Sequence, residues 1–214
     1  MSLEDVKLKL ARPRARVDRV VIWDEIVFDR GRVHEICGPA RHSLAAWSVG
    51  RIVQGAQSVF WISPHWHGAQ LHFAGLCAWM PPQNVVHVRP RHSGDIWWCA
   101  EEILRSGTSP VLVIEAHEIP HLTQVRRLHL AAQHGAEQGA YAPIGLILTD
   151  HNGGVSGVES RYFCHAQHTP EDPCWRIERR RARTAAPKAW ELRPNAAAHW
   201  HLCSVPLSEM PALS

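Results

Sequence analysis

The residues with the clearest chemical meaning lie at positions 38–45, directly after a short apolar run. A phosphate-binding loop of the G-x-x-x-x-G-K-[S/T] type surrounds nucleotide phosphates with backbone N–H groups, a lysine and a magnesium-binding hydroxyl. This chain keeps the first glycine, but Ser43, Leu44 and Ala45 stand where the second glycine, the lysine and the hydroxyl belong. The degenerate loop comprises Gly38, Pro39, Ala40, Arg41, His42, Ser43, Leu44 and Ala45. We therefore expect no ATP hydrolysis, no catalytic residue and no cofactor.

A single carboxylate belongs to the same expected site. Glu115 follows the apolar run 111–114, so it should emerge at the carboxyl end of a strand beside the degenerate loop. Because no lysine or metal is expected nearby, we predict that Glu115 is not a magnesium ligand and pairs with Arg41 or His42. The alternative is a solvated carboxylate.

The segment 176–193 is strongly basic, with seven basic residues against two acidic ones. We consider it a candidate surface for DNA or an acidic protein partner, and the alternative is a solvated strand face. Three of its arginines are predicted to fall in a turn. The candidate surface comprises Arg176, Arg179, Arg180, Arg181, Arg183 and Lys188.

Other groups of reactive residues fit their motifs poorly. Two histidine groups lack a familiar zinc spacing, so no metal site is expected. They are His65, His67 and His72, and His199, His201 and Cys203. Residues 154–158 approach the G-x-S-x-G motif of hydrolases but end in valine, so a hydrolase is not expected.

Alternating strands and helices must position these residues. Apolar runs predict strands at 33–37, 58–62, 85–88, 110–114 and 143–148. Helical spacing predicts helices between them, including one at 44–53. Such alternation predicts a mostly parallel sheet with helices on both faces. Strands at 160–165, 174–178 and 189–192 would extend it in antiparallel fashion at one edge.

Composition sets the outer limits. The 214 residues suffice for one core domain, which we place at 31–193, between an N-terminal flanking segment at 1–30 and a poorly ordered tail at 194–214. Residues 20–28 are apolar enough to pack on this core or on a second subunit. With no membrane span and no secretory signal, and with scattered cysteines, we expect a cytoplasmic protein with free thiols.

Several stretches resemble RecA in order along the chain. GRVHEICGPARHSLAAW resembles the strand that leads into its phosphate loop, SVFWISPHW its second strand, and IWWCAEEILRSGTSPVLVIEA the helix and Walker B strand. His65 would stand at the family's catalytic glutamate and Glu115 at its Walker B aspartate. The resemblance covers 31–193. It implies an α/β fold of the RecA-like (P-loop NTPase) type, a mostly parallel sheet flanked by helices with antiparallel C-terminal edge strands.

Within the RecA relatives, the chain resembles the ImuA-type proteins of bacterial mutagenesis cassettes. The stretches that carry this resemblance are GPARH at 38–42, VRRLHLAA at 125–132 and GVESRY at 157–162. The resemblance implies a non-catalytic accessory role in damage-induced translesion DNA synthesis. It also implies the polymerase-like protein ImuB and an error-prone DnaE-type polymerase as partners. RecA, single-stranded DNA and a second copy of the chain are further candidate partners.

Two other functions stay open. An SOS-linked cell-division inhibitor of the SulA type also has a fold that resembles RecA and does without ATP chemistry. A slow ATPase would need a phosphate-binding lysine from elsewhere, and Lys188 is the only lysine after residue 9. The stretch 125–132 and the basic C-terminal strands favour the translesion role over both.

Overall fold

A computed structural model describes residues 18–66, 72–170, 172–194 and 200–207. Its helices are α1 (Arg41–Ile52), α2 (Phe73–Leu76), α3 (Ser93–Ser106) and α4 (Leu122–Gln138), with a 3₁₀ turn at Pro82–Asn84. The strands are β1 (Arg19–Trp23), β2 (Ile26–Asp29), β3 (Val33–Cys37), β4 (Val59–Ile62), β5 (Val85–Val88), β6 (Val111–Glu115), β7 (Ile144–Thr149), β8 (Ser160–Ala166), β9 (Trp175–Ala182), β10 (Lys188–Pro194) and β11 (Trp200–Val205).

A nine-stranded sheet forms the centre of the molecule, in the order β11-β10-β9-β8-β3-β7-β6-β4-β5. The strands from β8 to β5 are parallel to their neighbours. From β8 to β11 the pairing is antiparallel. The predicted α/β class, with a mostly parallel sheet and antiparallel edge strands, is therefore confirmed.

The sheet buries both of its faces. Side chains alternate along a strand, so Val111 and Val113 of β6 pack on the same side as α1, while Leu112 and Ile114 pack on the side of α3 and α4. Burial on both faces explains why these strands are continuous apolar runs in the sequence. No helix among the described residues has the length and apolar character needed to cross a membrane.

Of the two segments that flank the core, the N-terminal one agrees with the prediction and the C-terminal one does not. Strands β1 and β2 form a hairpin whose Ile22, Ile26 and Phe28 are buried, so the prediction that residues 20–28 pack on the core is confirmed. The predicted tail instead contains β11, which extends the sheet by pairing with β10. Alternate residues of β11, Trp200 and Leu202, pack on the core, and this gives the strand its stability.

Candidate functional site

The degenerate loop connects β3 to α1 at the carboxyl edge of the parallel strands. Gly38 has a φ of +94°, in the left-handed region that favours glycine. A Cβ atom at this position would lie 2.5 Å from the carbonyl oxygen of Cys164 in β8. Glycine is thus required here for the turn itself and for the close approach of two backbones.

Three N–H groups of the loop form hydrogen bonds within the protein. In a phosphate-binding loop such groups point at the anion. Here the Ala40 N–H donates to the carbonyl oxygen of Cys164 at 3.0 Å, and the Arg41 N–H donates to that of Gly38 at 3.2 Å. The Leu44 N–H closes the first helical turn onto the carbonyl oxygen of Ala40. The backbone geometry is therefore that of a structural turn.

The substituted positions serve the core. Leu44 and Ala45 are fully buried on the side of α1 that packs against the sheet. Helix α1 begins at Arg41, three residues earlier than predicted, so Arg41 and His42 lie in its first turn. Their side chains are the ones that reach the carboxyl edge of the sheet.

These two side chains contact two carboxylates. Arg41 forms an ion pair with Asp150, with 2.5 Å between Nη2 and Oδ1. His42 Nε2 lies 3.7 Å from Glu115 Oε1, and Trp61 Nε1 donates to the same oxygen at 2.6 Å. The prediction that Glu115 pairs with Arg41 or His42 is confirmed for His42. Asp150 and Trp61 were not predicted, although Asp150 follows the apolar run of β7 just as Glu115 follows that of β6.

These pairs close the carboxyl edge of the sheet beside the loop. The space left among Arg41, His42, Glu115 and Asp150 is about 10 Å³. A space of this size holds roughly one water molecule. A larger ligand could enter this space only if these side chains moved.

A buried carboxylate beneath the site holds the chain that carries Asp150. Glu35 in β3 is 0% exposed and accepts hydrogen bonds from the Thr149 hydroxyl at 2.7 Å and the Gly154 N–H at 2.9 Å. Arg161 Nε donates to it at 2.5 Å, which compensates the cost of burying the charge. Burial, together with Glu35, raises the pKa of the Cys37 thiol to about 12, so this thiol stays protonated at neutral pH and is a poor nucleophile.

The predicted histidine positions lie apart from this site or outside the described residues. His65 is exposed in the turn after β4, where its backbone N–H donates to Pro90. His67 and His199 are not among the described residues. Within the described part of the chain, no group of three or more histidine, cysteine or acidic side chains is placed to hold a metal ion.

The basic segment does not form one exposed face. Strand β9 continues to Ala182, so Arg180 and Arg181 lie on a strand and not in the predicted turn. Arg176 and Arg179 are only 9% and 5% exposed. Both side chains also have acidic partners, one inside the segment and one outside it: Arg176 pairs with Glu178, and Arg179 lies 4.0 Å from Glu25.

The individual partners show how the positive charge is neutralised. Arg176 and Arg180 both pair with Glu178, and Lys188 pairs with Glu25. Arg180 also lies over the Phe163 ring, at 3.6 Å from its centroid, and Phe163 is the ring that packs against Gly38. Arg180 is therefore part of the support of the degenerate loop. Of the candidate surface, only Arg181 and Arg183 are exposed, and Arg183 pairs with Glu159.

Fold and site together define a mixed α/β protein with a large, mostly parallel sheet and a tight loop between β3 and α1. No protein-family model matches the chain, and no curated protein matches it. Among solved structures it is similar to SulA from Pseudomonas aeruginosa, with 20% identity and a TM-score of 0.42 over 55% of this chain and 98% of that chain. The main functional expectation is corrected here: the translesion role is withdrawn. The ImuA-type resemblance itself stays a prediction of the sequence.

Proposed function

We propose that this chain is a non-catalytic binding protein with a RecA-like core, of the SulA type, which acts by contacting a partner and does not hydrolyse ATP. The observation that carries the proposal is the filled phosphate position. Arg41 with Asp150, and His42 with Glu115, occupy the place of the nucleotide phosphates and leave about 10 Å³.

The topology around β3 supports a RecA-like core. The degenerate loop follows a central parallel strand and leads directly into a helix, the context in which phosphate loops occur. Glu115 is the last residue of β6, and Asp150 directly follows the neighbouring strand β7. Both therefore lie at the carboxyl edge of the sheet, where ligands bind in open α/β sheets. Both features fit an ancestral nucleotide site that now serves packing.

The absence of hydrolysis follows from the chemistry of phosphoryl transfer. That reaction depends on positioning and on neutralisation of charge on the phosphoryl oxygens by lysine, arginine and magnesium. Leu44 and Ala45 are buried apolar residues, so they supply neither a charge nor a magnesium ligand. Arg41 is the cation within the loop itself, and it is already paired with Asp150.

A SulA-type protein is expected to bind the tubulin-like division protein. The test is to capture partners of the tagged chain from its native host after DNA damage and to identify them by mass spectrometry. Enrichment of the tubulin-like division protein, with slowed assembly of that purified protein when the chain is added, is the expected result. Enrichment of polymerase components instead, or no effect on assembly, would contradict the proposal. Capture from undamaged cells is the control.

A further inference from the structure

Helix α4 exposes apolar side chains along one side. Leu122 and Leu130 are 40% and 65% exposed, and Ile119, just before the helix, is 54% exposed. Leu122, Arg126 and Leu130 recur every four residues, so they lie in one row on the helix surface. Single exposed apolar residues are common, but a row of them beside a groove indicates a binding surface.

The groove runs beside this row and has a volume of about 530 Å³. Its walls include Leu122, Arg126 and Leu130 from α4, and Arg32, Gly157 and Arg183 from the opposite side. The volume is within the range of sites that bury a small ligand or a few side chains. We call this surface the α4 groove.

The charge of the α4 groove is positive. Arg126 is exposed and makes no ion pair with any described residue. Arg32 and Arg183 share one carboxylate, since Glu159 lies 3.8 Å from the first and 3.4 Å from the second. Burial lowers the pKa of His129 to about 4, so its imidazole adds no charge at neutral pH. Three guanidinium groups therefore face a single carboxylate.

The floor of the α4 groove is held in place. A Cβ atom on Gly157 would lie 2.7 Å from Leu122 Cδ1, and one on Gly154 would lie 2.8 Å from Ile119 Cδ1. The two glycines thus let the apolar side chains lie directly on the loop. The loop is anchored by the bond between Gly154 and Glu35, and by His129 Nε2, which is 3.1 Å from the carbonyl oxygen of Gly157. A surface fixed in this way loses little entropy on binding.

We infer that the α4 groove docks an acidic peptide segment of a partner protein, with apolar side chains against Leu122 and Leu130 and carboxylates against Arg126 and the Arg32–Arg183 pair. The inference rests on the proposed function as a binding protein and names the surface and the chemistry of the partner. Aliphatic side chains lie along the row on α4, whereas single-stranded nucleic acid binds by stacking on aromatic ones. Charge complementarity with arginine selects carboxylates.

The test begins with an unbiased probe. A random peptide phage library is selected on the full chain and counter-selected on the Leu130→Glu variant. The expected survivors carry aspartate or glutamate together with leucine, isoleucine or phenylalanine. The best peptide is then labelled and its affinity measured by fluorescence anisotropy. Arg126→Glu and Leu130→Glu should each weaken it about tenfold, because central apolar anchors and arginines dominate such interfaces.

Matched controls lie elsewhere on the surface. Arg51→Glu changes an exposed arginine at the end of α1, and Val86→Glu changes an exposed apolar residue of β5. Both should bind the peptide as the wild type does. Cooperative thermal unfolding of all four variants excludes loss of fold as the cause.

Several results would overturn the inference. One is that the selected peptides are basic or uncharged, and another is that no selected peptide distinguishes the wild type from Leu130→Glu. The third is that no peptide binds, whereas single-stranded DNA binds and Arg126→Glu abolishes that binding. Capture of the division protein separates this inference from the proposed function. If Leu130→Glu still captures it fully, the α4 groove is not the docking surface and the proposed function stands. If the peptide results hold but the division protein is never captured, the groove stands and the proposed function fails.

Discussion

Glu35→Gln removes the negative charge that organises the chain under the site while keeping the size of the side chain. Glu35 is fully buried, and its carboxylate accepts hydrogen bonds from Thr149, Gly154 and Arg161. The glutamine would keep one acceptor oxygen but would present an NH₂ group to donors. Arg161, whose side chain is only 18% exposed, would lose its ionic partner.

The size of the effect follows from these contacts. Breaking one side of a buried ion pair costs about 3–5 kcal/mol, and we expect about 3 kcal/mol because the amide oxygen retains part of the network. For a chain of this length, each kcal/mol lowers Tm by about 2–4 °C. The predicted fall in Tm is therefore about 6–12 °C. Adding Arg161→Met should cost less than the sum of the two single changes, because the two side chains form one pair.

Urea unfolding followed by tryptophan fluorescence measures this directly. Trp47 lies within about 6 Å of the rings of Trp23, Trp79, Trp175 and Trp200, so unfolding exposes a large aromatic cluster. The matched control is Glu191→Gln, which breaks the more exposed pair with Arg193 and should cost less than about 1 kcal/mol. A loss for Glu35→Gln no larger than that of the control would refute the reasoning.

Two further perturbations probe stability at neighbouring positions. Burial lowers the pKa of His34 to about 3 and that of His129 to about 4, so below pH 6.5 the unfolded chain binds protons that the folded chain does not. The free energy of unfolding, measured in urea, should therefore fall by about 2–4 kcal/mol as the pH is lowered from 7 to 5. In His129→Gln about half of this fall should be lost, and a fall equal to that of the wild type would contradict the prediction. Gly38→Ala should cost about 2–4 kcal/mol, because a Cβ atom there meets Cys164 in a left-handed turn. Gly55→Ala, also left-handed but with no atom within 4 Å, should cost only about 1 kcal/mol, and equal losses would disprove the packing argument.

The fold was largely predictable because most of its elements are specified by local patterns. Strands buried on both faces are uninterrupted apolar runs, and this fixes β3, β6 and β7 within a residue or two. Strand β11 was assigned to a poorly ordered tail because the segment around it is rich in proline, alanine and serine, although the alternation in HWHLC at 199–203 also allowed a short strand. Its stability comes from its packing on the core together with pairing to β10, and no local pattern reports that pairing.

The candidate site was predictable only in part. The loss of the lysine and hydroxyl positions is visible in eight consecutive residues, but the pairing of Arg41 with Asp150 joins positions 109 residues apart. For the same reason, the sequence of the basic segment does not show how much of its charge is paired. Counting charges between 176 and 193 does not include Glu25 and Glu159, which come from other elements to pair with Lys188 and Arg183. Charge patterns along a chain therefore predict a surface only where the partners are also local.

We propose that side chains of the protein fill the expected phosphate position and that the protein works without nucleotide chemistry. Calorimetric titration with magnesium-ATP, followed by measurement of phosphate release from the wild type and Arg41→Ala, tests it most directly. The structure predicts no heat beyond dilution and background phosphate release in both proteins, because Leu44 and Ala45 cannot replace the lysine and the hydroxyl. Magnesium-dependent phosphate release above background that Arg41→Ala abolishes would show that the loop still binds and hydrolyses the nucleotide.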